Sequence, residues 1–217
     1  MNTTISELGS AAFSLREAAR YSGEKPANVR NWLRSNPLWK ADFHTDEVIE
    51  LSFRDLASLR VVKGLRDAGV SLQAIRKAIP RAIEILATER PLSSARFRTD
   101  GRLIFLEVAK EDGDSELLEL ISGQLAFGRI LDPFLRQFDF RDDQPERWWI
   151  AGKQSAIVIE AHRGFGQPID HESGVPARTL VDAVKTEGSI QAAARSYEVR
   201  EKAVRDALKL EHMLMAA

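Results

Sequence analysis

The sequence predicts an α+β fold, mainly α, in three parts, and three features predict it. Capped segments of helical period run to Pro91. A middle with β-branched runs and turn dipeptides follows to Gly174, and the end is alanine-rich and helical. The parts are expected at residues 1–91, 92–174 and 175–217.

The first helix opens at Ser14, a good N-cap, and Glu17 stands where it can complete a capping box. It ends at Gly23, because glycine accepts the left-handed backbone of a sharp turn. Pro26 suits the first turn of a second helix, running from Ala27 to about Arg34. Ala19 is small where the helices would touch, Val29 would fill the space between them, and Trp32 follows one turn on. Small residue, glycine and β-branched residue at this spacing form a helix-turn-helix pattern. The second helix carries Lys25, Asn28, Arg30, Asn31 and Arg34 on its polar side, and Asn and Arg are the side chains that read adenine and guanine edges in a bidentate way. Together with Ser14 and Arg16 they form the candidate nucleic-acid surface; spacing alone does not divide base contacts from phosphate contacts. The competing reading is a helical hairpin in an interaction domain.

Pro80 and Pro91 are expected to interrupt the helices that follow, with helix ending near Glu89. Thr99-Asp100-Gly101 predicts a hairpin over 98–107, since Asp-Gly supplies positive φ. Asp112-Gly113-Asp114 predicts a turn, Phe138-Asp139-Phe140 a short strand, and Ala156-Ile157-Val158-Ile159 a buried one. The middle therefore reads as a β-rich connector. A last helical part begins near Ala177. Within it Ala194, Glu198, Val204 and Ala207 repeat the spacing of Ala19, Gly23, Val29 and Trp32. Glutamate is unfavourable in a left-handed turn, so a looser turn is expected there.

Charge is distributed unevenly. Residues 1–90 hold fourteen Lys/Arg against eleven Asp/Glu, 91–150 hold eight against twelve, and 151–217 hold nine against nine. The front is therefore the better partner for a polyanion. Arg195, Arg200, Lys202 and Arg205 are assigned mainly to protein contacts rather than DNA, given the balanced charge around them. The absence of cysteine excludes disulfides and thiolate chemistry and fits a reducing cytoplasm. No secretory signal and no membrane-length apolar run are visible, so a cytoplasmic protein without membrane contact is expected.

Other motifs carry little chemistry. Gly164-Phe165-Gly166 lacks the third glycine and the following helix of a dinucleotide site. His44, His162, His171 and His212 have no metal-ligand spacing, so no metal and no cofactor are expected. Asp170-His171-Glu172 reads as a solvated loop rather than an acid–base site. With no nucleophile elbow or phosphate loop, a binding protein is expected rather than an enzyme. Trp148 and Trp149 are placed partly in the core and partly at an interface.

Phe13 to Leu33, then Leu51-Ser52-Phe53-Arg54-Asp55-Leu56 and the run Leu59 to Arg76, resemble the MerR-type winged helix. The resemblance implies a wing over Trp39 to Leu51, where Lys40 and His44 would approach phosphate. A long dimerising helix and cysteine metal ligands are missing from the pattern. Gly123-Gln124, Arg147-Trp148-Trp149, Gly164-Phe165-Gly166-Gln167-Pro168 and Gly174-Val175-Pro176-Ala177-Arg178-Thr179, taken in order, extend the resemblance to VapB-type antitoxins with a C-terminal homeodomain-like domain. That resemblance implies operator DNA, a cognate toxin (commonly a PIN-domain ribonuclease) and a homodimer as partners, with repression of the shared operon. If the toxin holds magnesium with carboxylates, an inserted Arg178 is a means of blocking it. The alternative is a stand-alone MerR-like regulator that responds to a small ligand through its middle part.

Overall fold

The computed structural model describes residues 11–34, 36–43, 48–122 and 124–216. The chain opens with β1 (Ala12–Ser14), α1 (Leu15–Ser22), α2 (Pro26–Leu33), β2 (Glu50–Ser52), α3 (Phe53–Asp67) and α4 (Leu72–Leu86). β1 and β2 pair antiparallel, with Phe13 opposite Leu51, and both side chains are buried. α3 is capped as α1 is: the Ser52 hydroxyl accepts from the Asp55 amide and the Asp55 carboxylate accepts from the Ser52 amide. Pro80 does not interrupt. It lies inside α4, on the exposed side, while Ile75, Ala78, Ile79 and Ala82 keep a buried stripe. Burial of that stripe outweighs the lost backbone bond. The helix ends at Leu86, three residues before Glu89, where Ala87 turns left-handed.

The middle departs most from expectation. No hairpin forms at 98–107; that stretch belongs to α5 (Phe97–Asp112), followed by α6 (Ser115–Ser122) and α7 (Gln124–Leu135). The cause is packing at Gly101. A Cβ there would lie 3.2 Å from the rings of Phe97 and Phe127, so the missing side chain lets α5 approach α7. Ile104, Phe105, Val108 and Ala109 continue the buried face. The positive φ available to Asp-Gly is not used until Gly113, which caps α5 at φ 66° and makes the expected turn.

Among the described residues of the middle, β structure is confined to β3 (Phe138–Arg141), β4 (Gln144–Trp148), β5 (Ile157–Glu160) and β6 (Ile169–Asp170), an antiparallel sheet in sequence order. The strands expected around Phe138 and Ile157 are both present. Last come α8 (Ala177–Glu187), α9 (Ile190–Ser196) and α10 (Glu201–Ala216). One hydrophobic core runs from Phe13 and Val29 through Phe105 and Trp148 to Val204 and Leu210. No described helix is long and apolar enough to cross a membrane.

Candidate nucleic-acid interface

The Ser14 hydroxyl accepts from the Glu17 amide at 3.2 Å, and the Glu17 carboxylate accepts from the Ser14 amide at 2.9 Å. This capping box fixes where α1 begins. At its other end Gly23 has φ 72°, and two bonds close the turn: Glu24 N–H to the Ala19 carbonyl at 2.9 Å, and Gly23 N–H to the Arg20 carbonyl at 3.3 Å. Pro26 starts α2, and Ala19 and Val29 are fully buried between the helices.

What remains outside is cationic. Arg30 and Asn31 on α2 and Lys25 and Arg34 at its two caps are exposed, as are Arg16 on α1 and Lys40 beyond α2. Among the described residues, no ion pair engages Arg16, Lys25, Arg30, Arg34 or Lys40. Asn28 differs: it is half-buried and its amide donates to Glu24 at 2.8 Å. His44 lies outside the described residues.

Two arrangements that sequence reasoning missed hold this surface in place. Behind this surface, buried Asp55 accepts from Trp39 Nε1 at 2.7 Å and from the Asp42 amide at 2.8 Å, with Arg90 Nε 3.4 Å away. Burial pushes the Asp55 carboxyl above the usual range. Asp42 is also pushed up by burial, but the Ser52 hydroxyl, Arg90 and Arg54 outweigh this and hold it below. Arg60 supplies the second arrangement. It donates to the Ser22 carbonyl at 2.8 Å, closing the end of α1, and its guanidinium lies 4.9 Å from the Phe134 ring and 5.3 Å from Trp148. Burial pulls its pKa down to about 10. A lone arginine between Leu59 and Val61 was the available signal.

The C-terminal unit repeats the turn rather than loosening it. Glu198 takes φ 52°; Val199 N–H bonds the Ala194 carbonyl at 3.0 Å and Glu198 N–H the Arg195 carbonyl at 3.2 Å, the same pair of bonds as at Gly23. Val204 and Ala207 are buried where Val29 and Trp32 are. Its outer face is different. Arg205 pairs with Glu201 at 2.9 Å and Arg200 with Glu172 at 2.7 Å, and Lys202 pairs with Asp206. Asp206, at the position of Asn31, is buried and accepts from the Ala156 amide at 2.9 Å, so this helix holds the sheet with the face that α2 leaves open. Arg195 is exposed. Arg178 is 89% exposed and 3.8 Å from Asp182.

Trp148 is wholly in the core, stacked on Phe138 at 5.4 Å, which withdraws it from any surface contact. Trp149 is half-buried; it donates to Asp139 at 2.7 Å, and Arg147 and Lys153 lie over its ring. The Asp170-His171-Glu172 group is divided among structural tasks: Asp170 accepts from Ser173, His171 packs on Trp149, and Glu172 pairs with Arg200. Among the described residues no cluster could hold a metal ion.

A capped two-helix unit, a strand pair behind it and a row of exposed cations that no ion pair engages among the described residues are the features of a helix-turn-helix DNA-binding regulator. Residues 13–82 match the model of the MerR HTH family regulatory proteins. Over its length the chain is similar to the candidate antitoxin VapB45 of Mycobacterium tuberculosis, 27% identical over 220 residues, covering 90% of this chain and 92% of that protein. The crystal structure of Rv2018 from the same organism superposes with a TM-score of 0.77 at 28% identity, covering 90% of this chain and 96% of that one. The match to the MerR HTH model is thus confined to residues 13–82, whereas the similarity to candidate antitoxin VapB45 covers 90% of the chain.

Proposed function

We propose that this protein is the antitoxin of a toxin–antitoxin pair: it binds and neutralises a partner toxin, a PIN-domain ribonuclease, and represses their shared operon. The observation that carries the reading is that similarity to VapB45 runs through nine-tenths of the chain, well beyond the helix-turn-helix. α2 supplies the DNA surface. Arg30, Asn31 and Arg34 face the groove, and Arg16, Lys25 and Lys40 meet phosphate. Ser14 acts there through its cap on α1. Toxin contact falls to the later parts, where Trp149, Arg178 and Arg195 are accessible. The protein's work in this reading is binding, not catalysis.

Co-expression with the neighbouring open reading frame tests the reading. Growth rescue and co-purification are expected; a neighbour that is harmless and unbound would overturn it and favour a stand-alone regulator. For the DNA surface, Arg30→Ala and Arg34→Ala are each expected to weaken operator binding by about 1–3 kcal/mol if they read a base. A contact to phosphate would instead reduce the salt slope by about one. Titration of operator DNA at several salt concentrations separates the two. Unchanged binding in both variants would place the DNA surface elsewhere.

A further inference from the structure

Arg90 lies beyond residue 82, where the match to the MerR HTH model ends, yet its side chain reaches back into the matched part. The guanidinium donates to the Lys40 carbonyl and to Asp42 Oδ1, the latter at 2.6 Å, and its Nε lies 3.4 Å from Asp55 Oδ1. One side chain thus engages three oxygens, two of them on the loop between α2 and β2. A planar guanidinium can do this with several donors at fixed angles; an ammonium on a flexible stem cannot.

The base from which Arg90 reaches is fixed as well. Pro91, Leu92, Ser93 and Ser94 are buried, and the Arg90 carbonyl accepts from the Ser93 amide at 3.2 Å. Beyond them, the Ser94 hydroxyl and the Arg96 amide each donate to Asp143 at 2.9 Å. Asp142 and Asp143 are the two residues that turn the chain from β3 into β4, at φ 49° and 66°. Residues 90–96 therefore form a strap, tied to the loop at one end and to the β3–β4 turn at the other.

The loop so tied carries Lys40, whose side chain is exposed while its carbonyl is bound. Charge is arranged to the same end. Asp42 puts a carboxylate two residues from Lys40, and left free it would repel phosphate. Arg90 takes its Oδ1, and the Ser52 hydroxyl and Arg54 take its Oδ2. Asp55 holds Trp39 on one side of Lys40 and the Asp42 amide on the other.

We propose that Arg90 is a positioning residue for DNA binding: it fixes the backbone of Lys40 and neutralises Asp42, so that Lys40 meets phosphate from the loop that follows α2. The assignment rests on the reading of Lys40 as a phosphate contact and extends it to a residue that touches no DNA.

The test is binding of the full-length chain to two fluorescent duplexes over a range of salt, one from upstream of its own reading frame and one of random sequence. Arg90→Gln is expected to weaken binding to both by the same factor as Lys40→Ala, about tenfold, and to reduce the salt slope by about one. Both duplexes suffer alike because a phosphate contact carries no sequence information. The double variant should bind no more weakly than either single one, since each removes the same contact; a general loss of stability would instead add to the effect of Lys40→Ala. Arg90→Lys keeps the charge but not the fork, so its affinity should fall between Arg90→Gln and wild type, and it supplies the same cycle if Arg90→Gln does not fold. Hydrogen exchange gives a readout apart from DNA. The Asp42 amide, bonded to Asp55, should exchange faster in Arg90→Gln, while the Glu24 amide in the α1–α2 turn keeps its protection. Additive losses, or wild-type affinity in a folded Arg90→Gln chain, would overturn the role of Arg90 alone. A wild-type chain that binds neither duplex would overturn the DNA reading, and this role with it.

Discussion

Glu198 shows what a turn demands of a single residue. It sits at φ 52° and closes the same two backbone bonds as Gly23, whose φ is 72°. For an L-residue with a side chain that conformation costs roughly 1–2 kcal/mol, and glycine avoids most of it. Glu198→Gly is therefore expected to stabilise the chain by about 1 kcal/mol, raising the melting temperature by about 2–4 °C. Calorimetry checks this, and a lowered melting temperature would show that the turn is not strained. The residue scale was the most legible part of the sequence at the N-terminus. Ser14, Gly23 and Pro26 each act through their own backbone preferences, which do not depend on distant partners. Glu198 was misjudged because packing of Ala194 and Val204 imposed a conformation its own preference opposes. Arg60 and Asp55 were missed because each draws its role from residues remote in sequence, such as Phe134 and Trp148, or Trp39 and Arg90.

Among the elements, α5 and α10 carry opposite lessons. α5 was read as strands because Asp-Gly is a strong local turn signal, yet Gly101 serves there as a gap for the Phe97 and Phe127 rings. A local signal lost to a tertiary contact that nothing nearby announced. α10 lies in the stretch read as helical from its alanine content, but its charged residues look alike in sequence whether they face water or the sheet. Asp206 is the one that faces the sheet, bonded to the Ala156 amide and Lys202. Burial raises its pKa, but these partners outweigh the burial and hold it below the ordinary aspartate value. A folded-state pKa below the unfolded one gives stability that is present above pH ~4 and is lost as pH falls through the folded value. Asp206→Ala should cost about 1.5–3 kcal/mol in urea unfolding at neutral pH, with the difference from wild type shrinking as acid protonates the carboxyl. A difference that persisted unchanged at low pH would argue that volume, not charge, is what Asp206 contributes.

The whole molecule contains two helix-turn-helix units of one geometry put to two uses. In the first, no ion pair among the described residues engages the cations on the outward face of α2; in the second, carboxylates satisfy Arg200, Lys202 and Arg205. The sum of nine against nine over residues 151–217 could not show which of these charges pair.

Arg60 gives this arrangement a limit. The arginine that closes the end of α1 is sandwiched by Phe134 and Trp148, and Gly64, one turn on, is where Phe134 seats; a Cβ at Gly64 would lie 2.4 Å from that ring. The reading head is consequently not a transplantable part. A fragment cut at residue 91 would leave a guanidinium and one side of α3 facing water where aromatic rings belong. It is expected to melt without the cooperative near-ultraviolet transition of the intact chain. A sharp, reversible transition in that fragment would show that the head stands alone. Otherwise, moving this DNA-binding unit onto another protein requires carrying the sequence as far as Trp148 with it.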